Sequence, residues 1–197
     1  MEIILATHNL DKSKELQESL RGSKIKILTL SDFPEIGEIV EDGNSLEENA
    51  FIKSRTVFNL TKIPTISDDT GLEVDALNGA PGIYSARYAG INASYTDNVN
   101  KMLNQLKNVD KNLRTATFKT VVTFVSNDLE LVSEGSVKGF ITEKPSGNSG
   151  FGYDPIFYVM EKNKTFSEMN INEKKECSHR GKAIANLKQL FKENNIF

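Results

Sequence analysis

The chain has 197 residues, with 24 lysines and arginines against 27 aspartates and glutamates and a formal net charge of −3. Its 38% hydrophobic and 26% charged residues are typical of a globular protein and exclude a largely disordered chain. The mildly acidic balance argues against a broad nucleic-acid-binding surface, although a small anionic ligand is not excluded. No apolar run reaches the roughly 18 residues that span a membrane. The one cysteine, Cys177, has no second cysteine to pair with. We therefore expect a cytoplasmic protein with no membrane or nucleic-acid partner.

The first half of the chain alternates between strand and helix patterns. Ser45 and Glu48 form a capping box that indicates a helix start. The predicted elements are, in order, a strand over 3–6, a helix over about 11–20, a strand over 24–30, a helix that begins after Ser45 and a strand over 64–67.

The second half is richer in β-type patterns. The predicted elements are a helix after Ser94, strands over 115–125 and 129–141, a glycine-rich loop over 144–153, a strand over 155–159 and a final helix over about 183–191. Asn127 and Asp128 predict a tight turn between two long strands, which implies antiparallel pairing. Together with the alternating first half, this pattern predicts a mixed α/β fold in which helices flank a mixed sheet.

A polar turn, Thr7-His8-Asn9-Leu10-Asp11-Lys12, follows the first strand and opens the first helix. Free backbone N–H groups and the positive end of a helix dipole form a site for phosphate, and Lys12 can add a charge there. The alternative is an ordinary helix cap by Asn9 or Asp11, with Lys12 in solvent. The turn lacks the glycines of a P-loop.

Two adjacent carboxylates, Asp68 and Asp69, directly follow the short predicted strand over 64–67. Such a pair is costly unless a cation or hydrogen-bond donors compensate it, and carboxylate oxygens suit Mg²⁺. Because side chains alternate along a strand, we expect one aspartate to face a ligand and the other to support it. The alternative is a turn that ends the strand.

Charge is segregated along the chain. Residues 32–48 carry seven acidic residues and no basic one, whereas residues 172–182 carry four basic residues against two acidic ones, together with His179. Both runs are ordinarily solvated surface. A metal site would need only one of the acidic residues, and His179 and Arg180 are suitable donors to a carbonyl or phosphate oxygen.

The segment 147–155, which includes the end of the glycine-rich loop, contains Phe151, Tyr153 and Asp154. Its glycines would let the backbone approach a flat ligand while an aromatic ring stacks on it. The alternative is that both rings fill the core. A phosphate-binding turn, a carboxylate pair, an aromatic loop and a cationic cluster in one chain indicate a nucleotide-phosphate site.

Two neighbouring segments, SDDTGLEVDAL over 67–77 and GAPGIYSARY over 79–88, closely resemble the signature of the inosine triphosphate pyrophosphatase family. Further motifs agree in order along almost the whole chain: Ala6-Thr7 to Lys12, Glu41, Glu48-Asn49-Ala50 with Lys53, Phe151-Gly152-Tyr153-Asp154-Pro155, and Ser178-His179-Arg180-Gly181.

This resemblance implies an enzyme that hydrolyses ITP, dITP and XTP to the monophosphate and pyrophosphate with Mg²⁺, and so keeps these nucleotides out of DNA and RNA. It also implies a cytoplasmic homodimer. The family's fold is a single elongated domain, here residues 1–197, with two lobes around a long twisted mixed sheet and the active site in the cleft between them.

The resemblance also implies roles for individual residues. Asp69 would accept the proton of the attacking water and bind the metal ion together with Glu41. The turn from Thr7 to Lys12 would wrap the triphosphate, with Lys53 and Thr70 nearby. The residues implied to hold the nucleoside are Phe151, Gly152, Tyr153, Asp154, Lys174, His179 and Arg180. His8 is a departure, because the family often has a glycine or another small residue there.

Two other functions fit parts of the pattern. One is a module that senses purine nucleotides without hydrolysing them, although such a module has no need of Glu41, Asp68 and Asp69. The other is a Mg²⁺ phosphatase that releases orthophosphate, but the Asp-x-Asp nucleophile pattern of such enzymes is absent around Asp68.

Overall fold

The computed structural model describes residues 1–22 and 25–196. Within these residues it has eight strands and five α-helices, which confirms the mixed α/β prediction. The strands are β1 (Glu2–Leu5), β2 (Lys26–Thr29), β3 (Thr65–Val74), β4 (Pro81–Gly82), β5 (Thr115–Val125), β6 (Glu130–Ile141), β7 (Phe157–Val159) and β8 (Lys164–Thr165). The helices are α1 (Leu10–Leu20), α2 (Leu46–Thr61), α3 (Tyr95–Gln105), α4 (Ile171–Cys177) and α5 (His179–Glu193).

Local sequence signals placed the starts of α2 and α3 correctly, whereas α5 begins earlier than predicted and α4 was not predicted. Ser45 caps α2 by accepting a hydrogen bond from the N–H of Glu48, and Ser94 and Asp97 form a complete capping box at α3. The predicted second strand is shorter in the structure, and its first residue, Lys24, lies outside the described residues.

The main difference from the prediction is the length of β3. We expected the strand to end at Ser67, but β3 continues through Asp68 and Asp69 to Val74. The expectation was wrong because consecutive polar residues suggested a turn, whereas Asp68 and Asp69 are buried and stay extended. The strand predicted over 155–159 is shorter and begins at Phe157.

The described strands form one sheet in the order β2-β1-β3-β5-β6-β7-β8, with β4 paired to β3. β1 pairs in parallel with both β2 and β3, whereas β4, β7 and β8 pair antiparallel with their neighbours. The sheet is therefore mixed, as the sequence predicted. None of the helices that the structure describes is long and apolar enough to cross a membrane.

The chain divides into two compact units, each with its own core. Unit 1 comprises Met1–Asp69, Thr120–Gly135 and His179–Phe197. Its larger apolar cluster packs helices α1 and α5 against strand residues such as Ile3 and Phe124. A smaller cluster includes Ile4 of β1 and Val57 of α2. The two clusters thus bury both faces of β1, and the strand leads directly into the polar turn.

Unit 2 comprises Thr70–Lys119 and Ser136–Ser178. Its core contains Leu72, Met102, Phe118, Phe157 and Phe166, and the ring centroids of Phe118 and Phe157 are 4.7 Å apart. The glycine-rich loop and helix α4 both belong to this unit. The two units therefore carry different groups of the predicted site residues.

Candidate active site

The turn after β1 is capped by Asn9, which orients the start of α1. The side-chain oxygen of Asn9 accepts hydrogen bonds from the N–H groups of Asp11 and Lys12 at 3.0 and 3.1 Å. Lys12 is not in solvent, because its side chain is 18% exposed and its Nζ lies 3.4 Å from Oδ2 of Asp68. Asn9 therefore caps the helix, while Lys12 places a positive charge beside Asp68.

Other side chains of the turn have other contacts. His8 is exposed, and its Nε2 lies 3.1 Å from the carbonyl oxygen of Gly37. Leu10 is 67% exposed. Thr7 Oγ1 accepts a hydrogen bond from the N–H of Asn9 at 3.2 Å, which tightens the turn. That this segment wraps a triphosphate stays a prediction.

Asp68 and Asp69 are both buried, but their pKa values are shifted in opposite directions. Asp68 is fully buried, which disfavours its charge, but Lys12, Arg180 and Lys53 outweigh the burial and hold the pKa of Asp68 well below its usual range. Burial raises the pKa of Asp69, and Lys53 and Lys12 compensate this only in part. Opposite pKa shifts in two neighbouring carboxyl groups indicate different roles, and Asp69 is the one suited to accept a proton.

Glu41, Lys53 and Asp69 form a second charged group of unit 1. Lys53 Nζ lies 2.7 Å from Oε2 of Glu41 and 3.6 Å from Oδ1 of Asp69. Asn49 precedes Lys53 by one turn of α2, and its side-chain nitrogen lies 3.4 Å from Oδ2 of Asp69. The same side chain accepts a hydrogen bond from the N–H of Gly43 at 2.9 Å. α2 therefore holds Asp69 and the loop that carries Glu41 in one arrangement.

The donor set of this group fits Mg²⁺. Within residues 1–22 and 25–196, no three His, Cys, Asp or Glu side chains are grouped as a protein metal cage. Mg²⁺ rarely uses such a cage, since it is bound through one or two carboxylates, waters and substrate phosphates. Glu41 and Asp69 already share one cation, the ammonium of Lys53. These two carboxylates could therefore hold the ion, as the family resemblance implies.

Other acidic residues of the 32–48 run serve local structure. Asp32 accepts hydrogen bonds from the N–H and the hydroxyl of Thr29. Glu48 accepts one from the N–H of Asn44 at 2.6 Å. The interpretation of this run as ordinary surface and turn structure therefore holds for these two residues, while Glu41 belongs to the charged group.

In unit 2, Asp154 at the end of the glycine-rich loop and Lys174 of α4 form a buried ion pair. Lys174 Nζ donates to Oδ2 of Asp154 at 2.5 Å, and both residues are almost fully buried. The same oxygen accepts a hydrogen bond from the N–H of Phe151 at 2.8 Å. Gly150 has a φ of +76°, and a methyl group there would lie 2.1 Å from Oδ2 of Asp154. The loop thus needs glycine at this position in order to close around the carboxylate.

The two aromatic residues of the loop have different roles. Tyr153 is 5% exposed, donates from its hydroxyl to the carbonyl oxygen of Ser85 at 2.9 Å, and burial raises its pKa. It fills the core. Phe151 is half-buried, lies under Lys174 Nζ at 4.9 Å and is 5.7 Å from the ring of Tyr95. Phe151 is therefore the ring suited to stack on a flat ligand, whereas Gly152, with a φ of +61°, shapes the turn.

His179 and Arg180 begin α5 and are 3% and 2% exposed. Arg180 donates to Asp68 and to Glu15. Thr70, the residue after Asp69 on β3, is half-buried. Contacts of these three residues with a nucleotide stay predictions.

Sequence reasoning did not assign Glu15 and Asn49 to the site. Asn49 stands in the quoted family motif, but its amide contact with Asp69 joins residues 20 positions apart. Glu15 follows Lys12 by three residues on α1, so helical spacing places both on one face. That spacing was the available signal, whereas the partner at Arg180, 165 residues away, left no trace in the local sequence.

Lys174→Ala is expected to lower the free energy of unfolding by about 3 kcal/mol, because it leaves the buried carboxylate of Asp154 without its ammonium. This corresponds to a decrease in Tm of roughly 6–12 °C in a chain of this size. Thermal unfolding followed by circular dichroism measures it. Lys175→Ala removes the same charge from the next, half-buried position and should change Tm much less. Equal shifts in the two variants would show that the Asp154 pair does not carry the effect.

Comparison with known proteins accounts for nearly the whole chain. Residues 3–190 match the model of the Ham1 family. A dITP/XTP pyrophosphatase of Thermoanaerobacter pseudethanolicus is 44% identical over 188 residues, which cover 95% of each chain. A dITP/XTP pyrophosphatase of Clostridium perfringens is 45% identical over 198 residues and 97% of each chain.

Solved structures agree with this match. The Ham1 protein of Staphylococcus aureus superimposes with a TM-score of 0.86 at 39% identity, covering 99% of this chain and 100% of its own. A HAM1 protein from Coxiella burnetii gives a TM-score of 0.88 at 40% identity, covering 98% of this chain and 99% of its own. The family resemblance predicted from the motifs is confirmed, and the chain belongs to the Ham1 family.

Proposed function

We propose that this protein is a pyrophosphatase that hydrolyses ITP, dITP and XTP to the nucleoside monophosphate and pyrophosphate. Its relatives named dITP/XTP pyrophosphatase support this proposal. The observation that carries it is the contrast between Asp68, buried and held ionised, and Asp69, whose pKa is raised beside Glu41 and Lys53. Removing these nucleotides would prevent their incorporation into DNA and RNA.

The reaction requires attack of water on the α-phosphorus. The carboxylate of Asp69 would accept the proton of the water as its oxygen bonds to phosphorus, and the bond to the bridging oxygen breaks to release pyrophosphate. Asn49 and Lys53 orient the Asp69 carboxylate for this step.

Positive charge must offset the charge that develops on the leaving pyrophosphate. Lys12 and Lys53 would supply it from two sides of the aspartate pair. Mg²⁺, held by Glu41 and Asp69, would add Lewis-acid stabilisation of the phosphate oxygens. Lys53 contacts both of these carboxylates and offsets part of their negative charge.

Recognition of the base would use the residues that the family resemblance assigns to the nucleoside. The half-buried ring of Phe151 offers a stacking surface, and the Asp154–Lys174 pair fixes the loop that carries it. A donor such as His179 would pair with the 6-oxo group of hypoxanthine or xanthine, whereas the amino group of adenine would leave that donor unpaired. Mismatches of this kind can give discrimination on the order of 10⁴-fold. The homodimer and the cytoplasmic location implied by the sequence stay predictions.

Product analysis tests the proposal directly. ITP, XTP, ATP and GTP are incubated at equal concentration with and without Mg²⁺, and pyrophosphate and orthophosphate are quantified separately. We expect Mg²⁺-dependent release of pyrophosphate from ITP and XTP and much slower turnover of ATP and GTP. Release of orthophosphate would favour the phosphatase alternative, equal rates on ATP would contradict the proposed selectivity, and binding without turnover would favour a sensor.

A further inference from the structure

Arg180 lies between two carboxylates, only one of which the sequence predicted to be near the site. Its Nε and Nη2 donate to Oδ2 of Asp68 at 3.2 and 3.0 Å, and its Nη1 donates to Oε2 of Glu15 at 2.5 Å. The side chain of Arg180 is 2% exposed and that of Glu15 is 17% exposed. A guanidinium held on two edges in this way has a fixed position and orientation.

The same oxygen of Asp68 also faces Lys12, at 3.4 Å from its Nζ. The four side chains thus form a row in which charges alternate: Lys12, Asp68, Arg180 and Glu15. The row is neutral overall, which is the condition under which buried ions are tolerated. Removing the negative charge at Glu15 would leave two cations, Lys12 and Arg180, competing for Asp68.

The two ends of this row lie on the same helix. Lys12 and Glu15 are three residues apart on α1, so they share one face. Asp68 belongs to β3 and Arg180 to the first turn of α5. The row therefore connects the first turns of two helices to the strand that carries Asp69.

We propose that Glu15 is a positioning residue which acts through Arg180 and Asp68 to hold the ammonium of Lys12 where it meets the phosphates of the substrate. Arg180 contributes to this positioning, because its N–H groups donate to the carboxylates of Asp68 and Glu15. This inference rests on the proposed function, because it takes polyphosphate to be the ligand of Lys12. It assigns Glu15 a role in phosphate binding.

Binding of inorganic tripolyphosphate in metal-free buffer, measured by calorimetry, tests the role without turnover. Glu15→Gln keeps the size and polarity of the side chain and removes its charge, so we expect Kd to rise at least about tenfold through the coupled row. Glu18→Gln is the matched control. It removes the same charge from the same helix, where the ion pair is with the exposed Arg21, and should change Kd less than about twofold.

A double-mutant cycle with Lys12→Met separates positioning from a general structural effect. If Glu15 acts through Lys12, the Glu15→Gln change should have little further effect on Kd in the Lys12→Met background. An equal loss in both backgrounds would overturn the proposal, as would an unchanged Kd accompanied by a lower Tm. Glu15→Asp, which keeps the charge but shortens the side chain, should give an intermediate Kd and serves if the Gln variant does not fold. Failure of the proposed function is distinguished by the absence of pyrophosphate release from wild-type protein that still binds tripolyphosphate.

Discussion

Asp69→Asn is expected to reduce the rate of pyrophosphate release from ITP at least about 100-fold, because it removes both the proton acceptor and one of the two proposed metal-binding carboxylates. The neighbouring Asn49 and Lys53 can still contact an amide, so the local arrangement should persist. The measurement is kcat with saturating ITP and Mg²⁺. Near-normal turnover would show that another group accepts the proton.

The same variant makes a second, opposite prediction for stability. The pKa of Asp69 is raised in the folded state, so ionisation of this carboxyl at neutral pH destabilises the fold. In metal-free buffer, Asp69→Asn should therefore be at least as stable as the wild-type protein. Loss of activity without loss of stability would identify a functional carboxylate.

Asp68→Asn is the matched comparison, because it changes the adjacent residue on the opposite side of β3. The pKa of Asp68 is lowered in the folded state, so its charge stabilises the fold above its unfolded pKa, and this contribution is lost as pH falls through the folded value. We expect Asp68→Asn to be less stable than the wild type at neutral pH, with the difference shrinking on acidification. Equal effects of the two substitutions would contradict the division of roles between the aspartates.

This division could be predicted from sequence in outline only. Alternation along a strand predicted that the two aspartates would differ, but it did not decide which one is buried with Lys12 and Arg180. The family motif assigned the catalytic role to Asp69. The electrostatic reason for that role depends on burial and on cations from distant parts of the chain, and neither has a local signature.

The aromatic loop shows the same limit. Its composition suited either a stacking surface or a core filler, and the structure has one residue of each kind, Phe151 and Tyr153. Glycines predicted a close backbone approach, and at Gly150 the approaching group is the carboxylate of Asp154. The glycines thus predicted that the backbone of the loop is closely approached by another group. Only the folded structure shows that this group is the Asp154 carboxylate.

The strand β3 gives the clearest error and its cause. Polar residues at 67–70 indicated the end of a strand, yet β3 continues to Val74 because Ser67, Asp68 and Asp69 are all buried in it. Lysine and arginine partners offset the cost of burying carboxylates there. The rule that consecutive polar residues end a strand fails here because tertiary contacts stabilise the buried charges. Such failures are expected at functional sites.

Gly135→Ala is expected to have the largest effect on stability. A methyl group at this position of β6 would lie 2.2 Å from the carbonyl oxygen of His179 and 2.4 Å from the backbone nitrogen of Ala183. Both obstacles are backbone atoms of α5, so the helix as a whole must move away from the strand. Overpacking of this kind costs about 3 kcal/mol or more, which predicts a decrease in Tm of at least roughly 6 °C.

Gly37→Ala is the matched control for this prediction, since a methyl group at Gly37 meets no atom within 4 Å. Its Tm should be unchanged or slightly higher, because alanine restricts the unfolded chain. Movement of α5 would also displace Arg180 from Asp68, so the Gly135→Ala protein that remains folded should bind tripolyphosphate more weakly than the Gly37→Ala protein. An unchanged Tm in Gly135→Ala would mean that β6 and α5 separate at little cost in free energy. The close packing of α5 on β6 would then not determine the position of Arg180.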